Sequence, residues 1–106
     1  MSDDPYAPFE ALLEQDPDDA MLLYGLGRKL LTDGHPARAE PHLAHCVEVD
    51  PGYSAAWREL GRARMETDDT EGARAALERA VEVAGEKGDL QVAKEAKVFL
   101  GRLGEG

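Results

Sequence analysis

The sequence contains two copies of one pattern, and the second copy follows the first at a spacing of 34 residues. The pair Asp16-Pro17 recurs as Asp50-Pro51. The matching positions after these pairs are Leu23, Leu26, Gly27 and Arg28 in the first copy and Trp57, Leu60, Gly61 and Arg62 in the second. Further on, the matches are Ala39, Leu43 and Val47 in the first copy and Ala73, Leu77 and Val81 in the second. A fixed period of this length indicates stacked supersecondary units.

Each copy is expected to be helical. Pro51 lacks an N–H group and disfavours the α conformation in Asp50, so one helix ends there. Ser54 can cap the next helix by accepting hydrogen bonds from its free N–H groups. Trp57, Leu60 and Gly61 then share one helical face. The chain has no isoleucine and is rich in Ala, Leu, Glu and Arg, a composition that favours helix over strand.

These positions resemble the tetratricopeptide repeat, a helix–turn–helix family in which a bulky residue is followed by Leu-Gly. The resemblance covers residues 16–87, with Leu23, Leu26, Gly27, Ala39 and Pro51 at signature positions of the first copy and Trp57, Leu60, Gly61, Ala73 and Ala80 in the second. Gly85 stands where the closing proline would be, and Arg64 stands where the family usually has a bulky apolar residue. The resemblance implies close helix packing at Gly27 and Gly61 and a largely buried Trp57.

The resemblance predicts an all-α fold, a short right-handed helical-repeat solenoid of two full repeats between two capping helices. The predicted segments are a disordered tail over 1–4 and a single domain over 5–104, divided into a capping helix over 5–15, repeat one over 20–50, repeat two over 54–84 and a C-terminal helix over 89–103. Residues 85–88 are expected to form a loop. Pro41 is expected to bend its helix, because it removes a backbone hydrogen bond.

Charge and composition narrow the partners. The formal net charge of −10 repels nucleic acid phosphates and anionic lipid surfaces, so we expect no nucleic acid and no membrane as partner. A single cysteine rules out an internal disulfide. No apolar run is long enough to span a membrane, and the first residues lack the basic start of a secretory signal. These features predict a cytoplasmic protein.

Catalysis and metal binding find little support in the sequence. Candidate ligands cluster at His35, His42, His45 and Cys46, and His42 and Cys46 are one helical turn apart. Cys46, however, falls at the small buried position of the repeat, where cysteine acts as a compact apolar residue, and a closed metal site needs further ligands. The carboxylates are spread over helix surfaces without apolar enclosure. We therefore expect no metal site, no cofactor and no enzymatic activity.

The resemblance also implies a concave groove lined by the first helix of each repeat. Its groove positions correspond to Met21, Tyr24, Arg28 and Leu31 in the first repeat, to Ala55, Arg58, Arg62 and Met65 in the second, and to Asp89, Val92, Ala96 and Phe99 in the last helix. Guanidinium groups bind carboxylates in bidentate geometry, and methionine adapts to varied apolar partners. This stripe therefore suits an acidic peptide. Some members of the family bind carboxylates through a clamp of Lys and Asn side chains. This chain has no Asn, so the resemblance does not imply such a clamp or the partners that it binds.

Several interpretations stay open at this level. Arg58 and Arg62 could serve only surface ion pairing, since Arg62 lies one helical turn before Glu66. The predicted function is a protein–protein interaction module, an adapter or scaffold that binds a peptide segment in the groove. The alternative is a self-assembly or structural module whose end helices pair as a homodimer or dock onto a larger complex. A scaffold of a regulated enzyme complex is not distinguished from these.

Overall fold

The computed structural model describes residues 3–104, which form six α-helices without a β-strand. The helices are α1 (Ala7–Gln15), α2 (Ala20–Thr32), α3 (Pro36–Val49), α4 (Ser54–Glu66), α5 (Thr70–Lys87) and α6 (Leu90–Arg102). Each helix packs on its neighbours in sequence, and α4 additionally contacts both α2 and α6. The fold is therefore an all-α helical repeat, as predicted, and the first helices of successive repeats form one layer.

The N-terminal segment is held to the first repeat by polar contacts. The Asp4 carboxylate accepts hydrogen bonds from the Tyr6 backbone N–H at 2.8 Å and from Arg38 Nη2 at 2.9 Å. The buried Tyr6 donates its hydroxyl to Asp33 at 2.7 Å. The expectation of a disordered tail over 1–4 therefore fails at Asp4, whereas residues 1 and 2 lie outside the described residues.

Short-range signals set the ends of α2 and α3. The Asp19 side chain caps α2 by accepting from Leu22 N–H at 3.1 Å. Gly34 has a φ of +89°, a left-handed conformation that suits glycine and terminates the helix. Pro36 is the first residue of α3, where its missing N–H is not needed. The helix continues through the exposed Pro41 to Val49.

Two sequence-based expectations about α4 and α5 are wrong. Ser54 does not cap α4, because the helix begins at Ser54 itself and the N-cap residue is Tyr53. The Ser54 hydroxyl instead donates to Asp89 Oδ2 at 2.6 Å. Residues 85–88 are not a loop, because α5 runs through Lys87 and only Gly88, with a φ of +76°, ends it. No proline interrupts α5, so it extends about one turn beyond Val83, the position that corresponds to the end of α3 at Val49.

The core lies between the two helices of each repeat. A Cβ atom on Gly27 would lie 2.5 Å from Leu43 Cγ, and one on Gly61 would lie 2.5 Å from Leu77 Cγ. Side chains at these two positions would therefore push the paired helices apart. Trp57 is partly buried, with some of its surface exposed. It packs against both parts of the core and donates its indole N–H to the Pro51 carbonyl at 2.8 Å.

Arg64 replaces an apolar contact with polar ones. Its guanidinium donates to Glu40 Oε2 at 3.1 Å and to the Gly72 carbonyl at 3.3 Å. These bonds join α4 to the preceding helix α3 and to the following helix α5. The departure from the family pattern is thus accommodated.

Candidate functional site

One groove brings together side chains from α2, α4 and α6. Its volume is about 440 Å³, and it is lined by Arg28, Arg58, Glu59, Arg62, Gln91, Glu95, Val98, Phe99 and Arg102. The three arginines picked out by the sequence therefore do lie on one surface, and a fourth, Arg102, joins them from α6.

A buried carboxylate anchors the floor of the groove. The Glu59 side chain is only 3% exposed, and Arg58 Nε and Arg62 Nη1 approach its oxygens at 3.2 and 3.0 Å. A buried charge is costly unless it is paired, so Glu59 requires both guanidinium groups. The expected pairing of Arg62 with Glu66 is replaced by pairing with Glu59, three residues earlier.

Arg58 is the most heavily engaged of the arginines. Besides Glu59, its Nη1 contacts Glu95 Oε1 on α6 at 2.7 Å, and its Nη2 lies 3.4 Å from the Tyr24 hydroxyl on α2. The side chain is 12% exposed. Arg58 thus connects all three helices that form the groove.

The arginines at the rim of the groove are less constrained. Arg62 and Arg102 both lie over the Phe99 ring, with guanidinium carbons 5.7 and 5.3 Å from its centre, which is a cation–π arrangement. Within residues 3–104, Arg28 and Arg102 have no carboxylate at ion-pair distance, and Arg28 is exposed. These two guanidinium groups keep their donors available for a ligand.

The groove has the opposite charge to the protein as a whole. Four guanidinium groups face two carboxylates along its lining, which leaves two positive charges in excess, whereas the chain carries −10. The acidic neighbours Glu59 and Glu95 relieve the repulsion among the arginines. Hydrogen bonds from Gln91 and then the nearby Arg58 lower the pKa of Glu95, so that it stays ionised.

The other predicted groove residues are placed less uniformly. Met65 lines an adjoining pocket of about 410 Å³ together with Arg62, Glu66, Phe99 and Arg102. Tyr24 stacks on Tyr53 with ring centres 4.9 Å apart, and its hydroxyl reaches Arg58. Met21 is exposed but does not line either pocket, and Leu31 is buried in the core. Leu31 was therefore wrongly placed in the groove.

The residues that α6 contributes match the expected set only at Phe99. The 34-residue spacing would place Val92 and Ala96 in the groove, yet Ala96 is fully buried and Val92 lies outside its lining. The extra turn of α5 displaces the register, so that Gln91, Glu95, Val98 and Arg102 line the groove with Phe99. The longer α5 could have been inferred from the sequence, because Gly85 stands at the position where a proline would end the helix. Glu59 was also missed, because its spacing to Arg62 is common among exposed pairs.

The histidine and cysteine cluster does not form a metal site in the part of the chain that is described. Among residues 3–104, no group of three or more His, Cys, Asp or Glu side chains is arranged so that it could hold a metal ion. Cys46 is buried, donates its thiol to the Ala20 carbonyl at 3.3 Å, and burial raises its pKa to about 11. His45 instead bridges Asp18 and Glu48 at 2.7 and 3.3 Å.

Helices long and apolar enough to cross a membrane do not occur between residues 3 and 104.

Consecutive helix pairs, with the first helices lining one groove, define a helical-repeat protein. The sequence profile of the tetratricopeptide repeat family matches residues 30–97, and the chain belongs to this family. It is 46% identical over 94 residues to the TPR repeat-containing protein PA0015 of Pseudomonas aeruginosa, an alignment that covers 89% of this chain and 90% of that protein.

Solved structures resemble the whole described fold. Protein BPP2914 from Bordetella parapertussis is 37% identical, with a TM-score of 0.78, over 96% of this chain and 89% of the other. PcrH, solved in complex with the chaperone binding region of PopD, has a TM-score of 0.86 over 95% of this chain and 77% of its own. At 22% identity, the likeness to PcrH concerns the fold.

Proposed function

We propose that this chain is a protein-interaction module that binds an acidic peptide segment of its partner in the arginine-lined groove. Family membership supports the general role, because tetratricopeptide repeats bind other proteins on the surfaces that their stacked helices create. PcrH shares the fold and holds a region of PopD, so a fold of this kind accommodates a protein segment. The finer proposal, an acidic ligand, rests on the groove itself.

The observation that carries the proposal is the local reversal of charge. On a chain of net charge −10, the lining of this groove has two positive charges in excess, and Arg28 and Arg102 are free of carboxylate partners within residues 3–104. Such a surface attracts an anionic segment and repels a cationic one, which favours specificity and the rate of association. Guanidinium groups then offer bidentate hydrogen bonds to carboxylates.

The same groove offers apolar contact beside the charges. Val98 lies in its lining and is 54% exposed, and Phe99 and Met65 border the adjoining pocket. A ligand with carboxylates flanking one large apolar side chain would satisfy both kinds of contact. Apolar burial would supply affinity that persists when salt screens the charges.

Self-assembly through the end helices is the second candidate. Large apolar side chains are exposed on both of them: Leu12 on α1 and Leu90 and Val98 on α6, with Leu90 at 75%. Light scattering over a range of concentrations measures this directly. A concentration-dependent dimer whose interface contains Leu90 would favour the assembly role, and a monomer at all concentrations would exclude it.

The groove is tested by charge reversal at arginines that the fold does not need. Reversal of Arg58 and Arg62 is unsuitable, because Glu59 would be left buried without its partners. The double variant Arg28→Glu, Arg102→Glu avoids this. Its control, Arg74→Glu, Lys97→Glu, changes the net charge equally at positions outside the groove lining.

Chemical-shift mapping with N-acetylated peptide amides measures the result. Peptides rich in Asp and Glu around one Leu or Phe should perturb α2, α4 and α6, and their Asn and Gln counterparts should bind much more weakly. Binding should weaken as salt rises, because the Debye length falls from about 10 Å at 0.1 M to about 3 Å at 1 M. The groove variant should lose at least about tenfold in affinity, and the control little. Perturbations elsewhere, or equal binding of the neutral peptides, would refute the proposal.

A further inference from the structure

The groove contains a carboxylate of the protein's own at the place where a ligand's carboxylate would bind best. Arg58 is held on one side by the buried Glu59 and on the other by Glu95, whose Oε1 lies 2.7 Å from Arg58 Nη1. We propose that Glu95 occupies the anchoring guanidinium of Arg58 in the free protein and that an acidic ligand displaces it. This inference rests on the proposed function, since it concerns how the same groove takes its ligand.

The two carboxylates on Arg58 differ in their freedom to leave. The Glu59 side chain is 3% exposed and paired with two arginines, so it has no solvent to move into. The Glu95 side chain is 42% exposed, and its remaining hydrogen bond is donated by Gln91 at 3.1 Å on the same helix. Rotation of Glu95 into water therefore retains hydration and breaks one ion pair, whereas removal of Glu59 would break the floor of the groove.

Arg58 is prepared to receive the incoming group. Its side chain is 12% exposed and fixed by contacts to Glu59 and to the Tyr24 hydroxyl at 3.4 Å. A guanidinium already held in one orientation loses little conformational entropy when a ligand replaces Glu95. In a site shielded from water, its charge also acts more strongly than that of an exposed arginine. Arg58 is thus the anchor, and Arg28 and Arg102 at the rim guide and flank the ligand.

This arrangement sets a threshold for ligands. A neutral or weakly anionic segment cannot replace the Arg58–Glu95 ion pair without leaving Arg58 with fewer partners. A segment whose carboxylate lies beside Arg58 forms a new ion pair with it, and Glu95 moves into water. Glu95 therefore acts as a specificity-determining residue that excludes non-acidic segments.

Three variants test the displacement. Glu95→Gln removes the competing charge, and Glu78→Gln, at an exposed position of α5 outside the groove, is its charge-matched control. Glu95→Asp keeps the charge but shortens the reach to Arg58. The probe is an N-acetylated Asp/Glu-rich peptide amide with one Phe, titrated by calorimetry into the full chain.

Glu95→Gln should bind the peptide about two- to fivefold more tightly than Glu78→Gln, the range set by loss of one partly exposed ion pair. Glu95→Asp should also bind more tightly than the wild type. Selectivity against the Asn/Gln peptide should fall in Glu95→Gln. In the wild-type protein saturated with peptide, the lowered pKa of Glu95 should return towards its ordinary value, as followed by carboxylate chemical shifts.

The failure of this inference is distinct from failure of the proposed function. If the wild type binds the acidic peptide and Glu95→Gln matches Glu78→Gln, displacement is refuted and the groove function stands. A gain in Glu95→Gln with none in Glu95→Asp indicates simple charge repulsion and also refutes displacement. Binding by Glu95→Gln but not by the wild type would show that Glu95 blocks Arg58 without being displaced, and it would also refute displacement. If no variant binds the peptide, both proposals are wrong.

Discussion

The packing glycines provide the sharpest test of the fold. Gly61 lies within α4, and a Cβ there would meet Leu77 Cγ and Cδ2 at 2.5 Å, closer than carbon atoms approach each other in folded proteins. Gly25 lies within α2, and a Cβ there would meet nothing within 4 Å. Alanine substitutions at these two positions therefore differ in packing but share the same change in helix propensity.

The propensity term is favourable at both sites. Alanine in a helix interior is about 0.5–1 kcal/mol better than glycine, so Gly25→Ala should raise the free energy of unfolding by about that amount. At Gly61 the same gain is opposed by overpacking, because Leu77 is fully buried and cannot move away from the added methyl group. Overpacking of this kind typically costs about 1–3 kcal/mol. The difference between the two variants isolates the overpacking cost and should be about 1–3 kcal/mol. Gly61→Leu should cost more again.

Urea denaturation followed by circular dichroism measures both free energies under one set of conditions. Gly25→Ala should unfold at higher urea concentration than the wild type and Gly61→Ala at lower concentration than Gly25→Ala, with similar slopes. The Gly27→Ala variant, whose Cβ would meet Leu43 at 2.5 Å, should behave like Gly61→Ala. Equal stability of Gly61→Ala and Gly25→Ala would refute the close approach of α4 and α5 described above.

Two further predictions concern titratable side chains. Burial raises the pKa of Cys46 to about 11, so its thiol should react with an aromatic disulfide at pH 8 only at the rate of protein opening; reaction at the rate of free cysteine would contradict its burial. Hydrogen bonds to Asp18 and then Glu48 raise the pKa of His45 above its ordinary 6.5. The stabilisation is therefore complete below about pH 6.5 and is lost as pH rises through the raised pKa. The difference in stability between wild type and His45→Gln should shrink over that interval, and a difference that grows with pH would contradict the sign.

Most of the repeat architecture was predictable from the sequence because its contacts are local. The glycine and leucine of each close approach, such as Gly27 and Leu43, lie in the same repeat. The unit occurs twice at a spacing of 34 residues, so the weak pattern of each copy is supported by the same pattern in the other. The helix ends at Asp19, Gly34 and Pro36 follow from backbone chemistry that involves neighbours only.

The candidate site was predictable in part. The 34-residue period was enough to predict that Arg28, Arg58 and Arg62 share one surface, because equivalent positions of stacked repeats face the same way. It gave the wrong face of α6, because the period ends within α5, where Gly85 stands in place of proline and the helix gains a turn. Leu31 was also misplaced, because its side chain is buried in the core near the end of α2.

The sequence by itself determined the fold class and the basic stripe, both of which depend on spacing along the chain. Only the tertiary structure decided which carboxylates meet the arginines. Glu59 is buried between Arg58 and Arg62, and Glu95 reaches Arg58 from another helix at 2.7 Å. Long charged side chains have many rotamers and several partners within reach. Their pairing depends on how closely α4 and α6 approach and on which side chain water can still reach, and neither quantity is encoded in the spacing of residues.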